Sequence, residues 1–280
     1  MPKRKWLVCL AMAALLYLPQ IAMAGLGKVL SYSPRTNGQQ TNACSVEVKC
    51  ETGILVIQSY TEGGWKISSL PKGMSLNNER PSIALTGEEL GKYAVKTRER
   101  QGELIVSATF SEVHVDMSTS VLGFYDNGTL RLSEDKGIDN SSATKSISFA
   151  PQHEAAFYGG GYNGRFGNLD GHTLTMNNTQ NYGWDQTLQG PNNICVPFVV
   201  STAGYGILFE DHYRDARIHL SSTEGIHYES QSPTPVSYVY VGSRDGTQDG
   251  VMTTYGRLTG RHELPPYWAL GYITSRYGYH

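Results

Sequence analysis

Val121-Leu122-Gly123-Phe124-Tyr125-Asp126-Asn127-Gly128-Thr129-Leu130-Arg131-Leu132 decides the fold class of this 280-residue chain. Two apolar runs flank Asp-Asn-Gly, and Asn-Gly supplies the positive-φ positions that a tight hairpin turn needs. The same period-two pattern extends from Cys44 to about Phe149. Val46 and Val48 pair across Glu51-Thr52-Gly53 with Ile54-Leu55-Val56-Ile57, and Leu104-Ile105-Val106 and Val113 to Met117 continue the series. Further strands are predicted at Pro197–Ser201, Gly206–Phe209, Arg217–Leu220 and Val236–Val241. Strands at this spacing without alternating helices predict an antiparallel β-sandwich.

Composition agrees. The 31 glycines and 18 tyrosines suit short strands and tight turns, and 39% apolar residues are enough for a core rather than a disordered chain. Lys plus Arg is 23 against 25 Asp plus Glu, a net charge of −2. Binding nucleic acid by neutralising phosphates needs a basic excess, so no nucleic-acid partner is expected.

The first residues read as an address. Lys3-Arg4-Lys5, the apolar run Trp6–Leu18 and the small residues Ala22-Met23-Ala24 make a signal peptide cleaved after Ala24, so residues 1–24 are set apart and the protein is expected in the periplasm or outside the cell. A membrane anchor is the alternative, but the run is short of the roughly 20 residues that span a bilayer. No later segment is apolar for long enough to cross.

Cys9 leaves with the signal, and Cys44, Cys50 and Cys195 remain. Cys44 and Cys50 share a face of one apparent strand, which would hold them roughly 20 Å apart, so they pair only if the chain turns between them. Cys195, in Ile194-Cys195-Val196-Pro197-Phe198, reads as a buried small hydrophobe.

Near the end of the chain, Asp249 can cap a helix whose apolar residues Val251, Met252, Tyr255 and Leu258 recur at helical spacing before Gly260 stops it. After Pro265-Pro266, the nearly continuous apolar run Trp268–Ile273 reads as a strand buried on both faces. It is either the last strand of the sandwich or, as its place after two prolines favours, the first strand of a second domain.

Several motifs are spacing without context. Gly159-Gly160-Gly161-Tyr162-Asn163-Gly164 matches G-x-G-x-x-G, but no helix follows, so a glycine-rich turn is expected rather than a nucleotide site. His212, His219 and His227 lack metal-ligand spacing, and no G-x-S-x-G elbow occurs. No metal and no cofactor are expected. Met176–Gln186 is different. Its Asn, Thr and Gln side chains interleave with Tyr182 and Trp184, the mixture that sugar hydroxyls and C–H faces require, although a solvated loop would have the same composition.

Phe157-Tyr158-Gly159-Gly160-Gly161, Val196-Pro197-Phe198, Gly204-Tyr205-Gly206-Ile207-Leu208, Tyr255 to Arg261, Leu264 to Tyr272 and Ser275-Arg276-Tyr277-Gly278-Tyr279, in that order, resemble glycoside hydrolase family 31, the retaining α-glucosidase and α-xylosidase family. The resemblance spans Cys44 to His280 and is strongest from Phe157 onward. It implies a galactose-mutarotase-like N-terminal β-sandwich over 25–264, then the start of a truncated catalytic (β/α)8 barrel over 265–280. Retention of configuration needs two carboxyls about 5 to 5.5 Å apart. The last carboxylate here is Glu263, so both catalytic aspartates are expected beyond His280.

The resemblance also implies the site. The substrate is an oligosaccharide or α-glycoside, most simply an α-glucoside, and Asn178, Thr179, Gln180, Trp184 and Tyr277 are its expected contacts. Trp184 is the stacking surface and Thr179 and Gln180 are the hydroxyl partners. Two residues depart from the family pattern: Thr179 replaces the usual Asp of N-x-D, and Tyr162 stands where an acid is common. Thr cannot give a hydroxyl the charge-assisted bond that Asp gives, which leaves α-xylosides, α-galactosides and glucosyl transfer open. A stand-alone carbohydrate-binding sandwich is the alternative from another class, and Trp268–Tyr279 is the segment for which such a module has no use.

Overall fold

A computed structural model describes residues 25–36, 42–75, 82–162, 167–178, 194–210 and 214–272. The proposed signal peptide, Thr179, Gln180, Trp184, His212 and Tyr277 lie outside them. In chain order the strands are β1 Val29–Thr36, β2 Ala43–Cys50, β3 Gly53–Thr61, β4 Gly64–Pro71, β5 Lys96–Arg100, β6 Glu103–Ala108, β7 Ser111–Asp116, β8 Leu122–Asp126, β9 Thr129–Asp139, β10 Lys145–Phe149, β11 Phe157–Tyr162, β12 His172–Met176, β13 Ile194–Ser201, β14 Tyr205–Phe209, β15 Ala216–Ser221, β16 Gly225–Ser230 and β17 Ser237–Val241, followed by helix α1, Gln248–Thr259. They form two antiparallel sheets, β1-β2-β3-β4-β17-β14-β13-β11 and β12-β15-β16-β10-β9-β8-β7-β6-β5.

The hairpin that opened the sequence reading is β8–β9, and Asn127 and Gly128 take φ of 50° and 76° at its turn. Strand alternation places Val113, Phe124, Leu132, Ile147, Tyr228 and Ile218 of the second sheet against Trp65, Ile67, Ile207, Tyr238 and Tyr240 of the first. The first sheet is buried on its outer face too. Helix α1 lays Val251 and Leu258 over Phe198, Val200, Leu208, Val239 and Val241, and Tyr255 stacks on Phe198 with centroids 3.9 Å apart. That cover is why β14 and β17 read as unbroken apolar runs although the sheet is antiparallel.

Tyrosines inside the sandwich carry polar tips that must be bonded. The Tyr240 hydroxyl donates to Asp126 Oδ2 at 2.8 Å, and that of Tyr238 donates to Glu134 Oε1 at 2.6 Å. The Leu122 amide donates to the other Glu134 oxygen at 3.0 Å. Burial pushes the Glu134 carboxyl up to about 7 against these two donors, which favour its charged form. Folded and unfolded chains therefore bind protons differently between about 4.5 and 7, with the folded state holding more. Stability from this group is present below the unfolded value and is lost as pH rises through 7. Glu134→Gln should accordingly gain about 3 kcal/mol on the wild type at pH 8 and little at pH 4.5. Urea titrations at both pH values check this, and a pH-independent difference would contradict it.

Several expectations are corrected. Residues 157–162 are an edge strand and not a turn, because three glycines at positive φ let β11 pair with β13 through an irregular register. The helix cap is Thr247, whose Oγ1 accepts from the Gly250 amide at 3.0 Å, while Asp249 sits in the first turn. Cys195 is only partly buried. Among the described residues no strand follows Pro266: Tyr267–Leu270 form a 3-10 turn with Trp268 exposed. Pro265 and Pro266 have no amide to donate, and no described strand pairs with this segment, so it closes local bonds instead.

Candidate functional site

The polar loop of the sequence reading joins β12, an edge of the second sheet, to β13, one strand in from the edge of the first. Its described roots are Asn177 and Asn178 on one side and Ile194 on the other. Asn178 is exposed, and its Oδ1 accepts from the Cys195 amide at 2.6 Å. Asn178 Nδ2 and the second lone pair of Oδ1 are left for other partners. Cys195 returns the tie, since Sγ donates to the Thr175 carbonyl at 3.6 Å. Asn177 Nδ2 donates to Asp215 Oδ1 at 2.8 Å, and the Asp215 amide donates to the Met176 carbonyl at 3.0 Å. Asp215 holds that position at φ 68°.

Asp215 is a part of the site that sequence reasoning missed. It lies 38 residues from Asn177. No short motif marks it, and only the pairing of β12 with β15 brings the two together.

The neighbouring wall is β11. Gly161 pairs with Cys195 and Tyr162 with Ile194, so the exposed Tyr162 ring stands beside the root of the loop. A Cβ on Gly159 would strike the Phe198 carbonyl, and one on Gly161 the Ile194 carbonyl. Glycine is needed there for close backbone approach, and no phosphate cradle has to be invoked. At the opposite end of β12 from the loop root, Ser222 donates to Asp170 from its amide at 2.6 Å and from its hydroxyl at 3.0 Å, which holds the Asp170 carboxyl below its usual range.

Of the five expected sugar contacts, the structure places Asn178 at this rim. Thr179, Gln180 and Trp184 belong to the segment that Asn178 and Ile194 anchor, and Tyr277 lies beyond the last described residue. Among the described residues, no group of three or more His, Cys, Asp or Glu is placed to hold a metal ion, and no helix is long and apolar enough to cross a membrane. The rim offers amide donors and acceptors at Asn177 and Asn178 and the exposed phenol ring of Tyr162.

Two antiparallel sheets with such a rim define an N-terminal galactose-mutarotase-like sandwich. Residues 54–214 match the glycosyl hydrolase 31 N-terminal galactose mutarotase-like domain, and the chain belongs to glycoside hydrolase family 31. It is 30% identical over 237 residues to alpha-glucosidase 2 of Bacillus thermoamyloliquefaciens, a match covering 82% of this chain and 29% of that protein. The fold is shared with a Flavobacterium johnsoniae GH31 dextranase complexed with isomaltotriose, at TM-score 0.76 and 22% identity over 89% of this chain and 30% of the other. A GH31 alpha-xylosidase from a soil metagenome, complexed with xylose, superposes at TM-score 0.60 with 19% identity, covering 84% and 36%. The chain thus spans about a third or less of the length of the first two of these proteins.

Proposed function

We propose that this chain is the N-terminal, substrate-loop-bearing part of an exported retaining α-glycosidase acting on α-glucosides. The observation that carries the reading is the match to an alpha-glucosidase along 82% of the chain. A second feature supports it. Leu264, Tyr267, Trp268, Leu270 and Tyr272 are each at least about two-thirds exposed, a run of large apolar side chains that a following catalytic domain would cover.

In this reading the sandwich does no bond-breaking. It carries the segment between Asn178 and Ile194 to the mouth of the barrel, where strand ends gather the reacting groups. Trp184 offers a ring face to the sugar, while Thr179, Gln180 and the Asn178 amide bond its hydroxyls. Tyr277 lines the pocket from the barrel side. The two carboxyls that split hydrolysis into two displacements belong to the catalytic domain.

Residues 1–280 alone should therefore show no turnover of an aryl α-glucoside above buffer. A longer polypeptide that includes the barrel should release glucose first as the α-anomer, followed by proton NMR. In that polypeptide Trp184→Ala and Thr179→Ala should each lower kcat/KM several-fold at unchanged melting temperature. Turnover by the 280-residue chain, or release of the β-anomer, would overturn the assignment. Unchanged kinetics in both variants would remove the loop from the site.

A further inference from the structure

The outer face of the second sheet carries a polar row that the loop and rim leave unused. Gly137 of β9, Ser148 of β10, His227 of β16, His219 of β15 and Thr173 of β12 are successive register partners, so five neighbouring strands each give one residue to a single line. The adjacent row, Ile138, Ile147, Tyr228, Ile218 and Leu174, is buried in the core. Alternation thus turns the four polar side chains of the row, those of Ser148, His227, His219 and Thr173, away from the core, while Gly137 itself is buried. The two imidazoles stand directly opposite each other across β15 and β16. Thr173 Oγ1 lies 3.0 Å from His219 Nδ1, and Glu224 Oε2 lies 3.5 Å from His219 Nε2.

Above most of this row the surface is concave. A cleft of about 990 Å3 has Ser148, His219 and His227 in its lining, with Asp139 and Glu224 also on its walls. That is the size of a small-molecule site rather than of a surface crease. Its chemistry narrows the ligand. Asp135, Asp139 and Glu224 outnumber the single lining cation, Lys136, so a phosphate or sulfate would be repelled. Serine hydroxyls and neutral imidazoles each both donate and accept, and carboxylates accept strongly. A hydroxyl also both donates and accepts, so a run of neighbouring hydroxyls on one neutral molecule satisfies this lining where an anion or an apolar ligand does not. Among the described residues no Phe, Tyr or Trp lines the cleft, so binding rests on hydrogen bonds and is weak.

We propose that this cleft is a second carbohydrate site, separate from the loop rim, that holds a neutral oligosaccharide through Ser148, His219 and His227. The proposal rests on the reading of the chain as part of a glycosidase only for the choice of sugar. A site on the outer face of the sandwich would hold a length of polymer while another part of it reacts.

The test titrates the 280-residue chain with isomaltotriose and with maltotriose and follows amide and imidazole signals by NMR. Shifts are expected at Ser148, His219, His227 and their register neighbours, with Kd on the order of 1 mM. His219→Ala/His227→Ala should weaken binding at least tenfold without lowering the melting temperature, since both side chains face solvent. Ser148→Lys, which fills the floor and leaves both imidazoles in place, should do the same. No shifts at these residues up to about 10 mM trisaccharide would overturn the proposal. So would shifts confined to the Asn178–Ile194 rim, or shifts at the imidazoles with zinc alone. Hydrolysis of an aryl α-glucoside by the longer polypeptide should be unaffected by either variant, so failure of the cleft and failure of the glycosidase reading are seen in different assays.

Discussion

Phe124→Ala should cost the sandwich about 4 kcal/mol, the middle of the range for emptying a fully buried aromatic site. Phe124 is completely buried and stands where the two sheets meet. Its ring stacks on Tyr240 with centroids 4.5 Å apart and meets Tyr238 edge-on at 6.2 Å. Those two tyrosines carry bonds to Asp126 and Glu134, so the cavity would also loosen donors that reach two buried carboxyls from the opposite sheet. The packing around the site cannot collapse easily, because both walls are hydrogen-bonded sheets. For a domain of this size the melting temperature should fall by about 10 °C. A loss below about 1 kcal/mol in urea unfolding would show that the aromatic cluster does not hold the sheets together.

Gly225→Ala should cost about 3 kcal/mol or more, and for a different reason. Gly225 opens β16 at φ +94°, where a side chain is strained, and a Cβ there would fall inside the contact distance of the Phe149 carbonyl. That oxygen belongs to β10, which pairs with β16 through Phe149 and Ile226, so neither strand can retreat without breaking the sheet. Gly73 provides the control. It has the same φ of +94° with nothing within 4 Å of the added carbon. Gly73→Ala should cost only the conformational strain, about 1 kcal/mol. Equal losses in the two variants would show that the clash at Gly225 is relieved at no cost.

Much of this molecule could be read along the chain because the relevant forces are local. Asn127-Gly128 specify their turn by φ alone, and alternation in β2, β3, β6, β7 and β8 follows from one face meeting core and the other water. The continuous strand between Cys44 and Cys50 keeps those thiols apart, and no disulfide joins them. Burial pushes the Cys50 thiol up to about 11, so it remains a protonated core residue at neutral pH. The family motifs were legible for a similar reason, since they are contiguous runs.

Other elements gave weaker signals. β5, with the sequence Lys-Thr-Arg-Glu-Arg, has no apolar face because it is a sheet edge whose charges guard against further pairing. β11 looked like a turn because glycine usually means one, and only the Phe198 and Ile194 carbonyls pressed against it show that close packing is its purpose. Lys66 would be assigned to the surface from its type, yet it is buried at 3.3 Å from Glu210, 144 residues further along the chain.

The sequence by itself determined the strand alternation, the β8–β9 turn, the helix after Val241 and the membership in family 31, because each depends on neighbours along the chain. Tertiary structure alone decided which asparagine at the loop root is tied to Asp215, which face of the first sheet α1 covers, and that Ser148, His219 and His227 share one cleft. Those facts depend on strand order and register, and pairing energies between strands far apart in sequence leave no periodic trace in either strand.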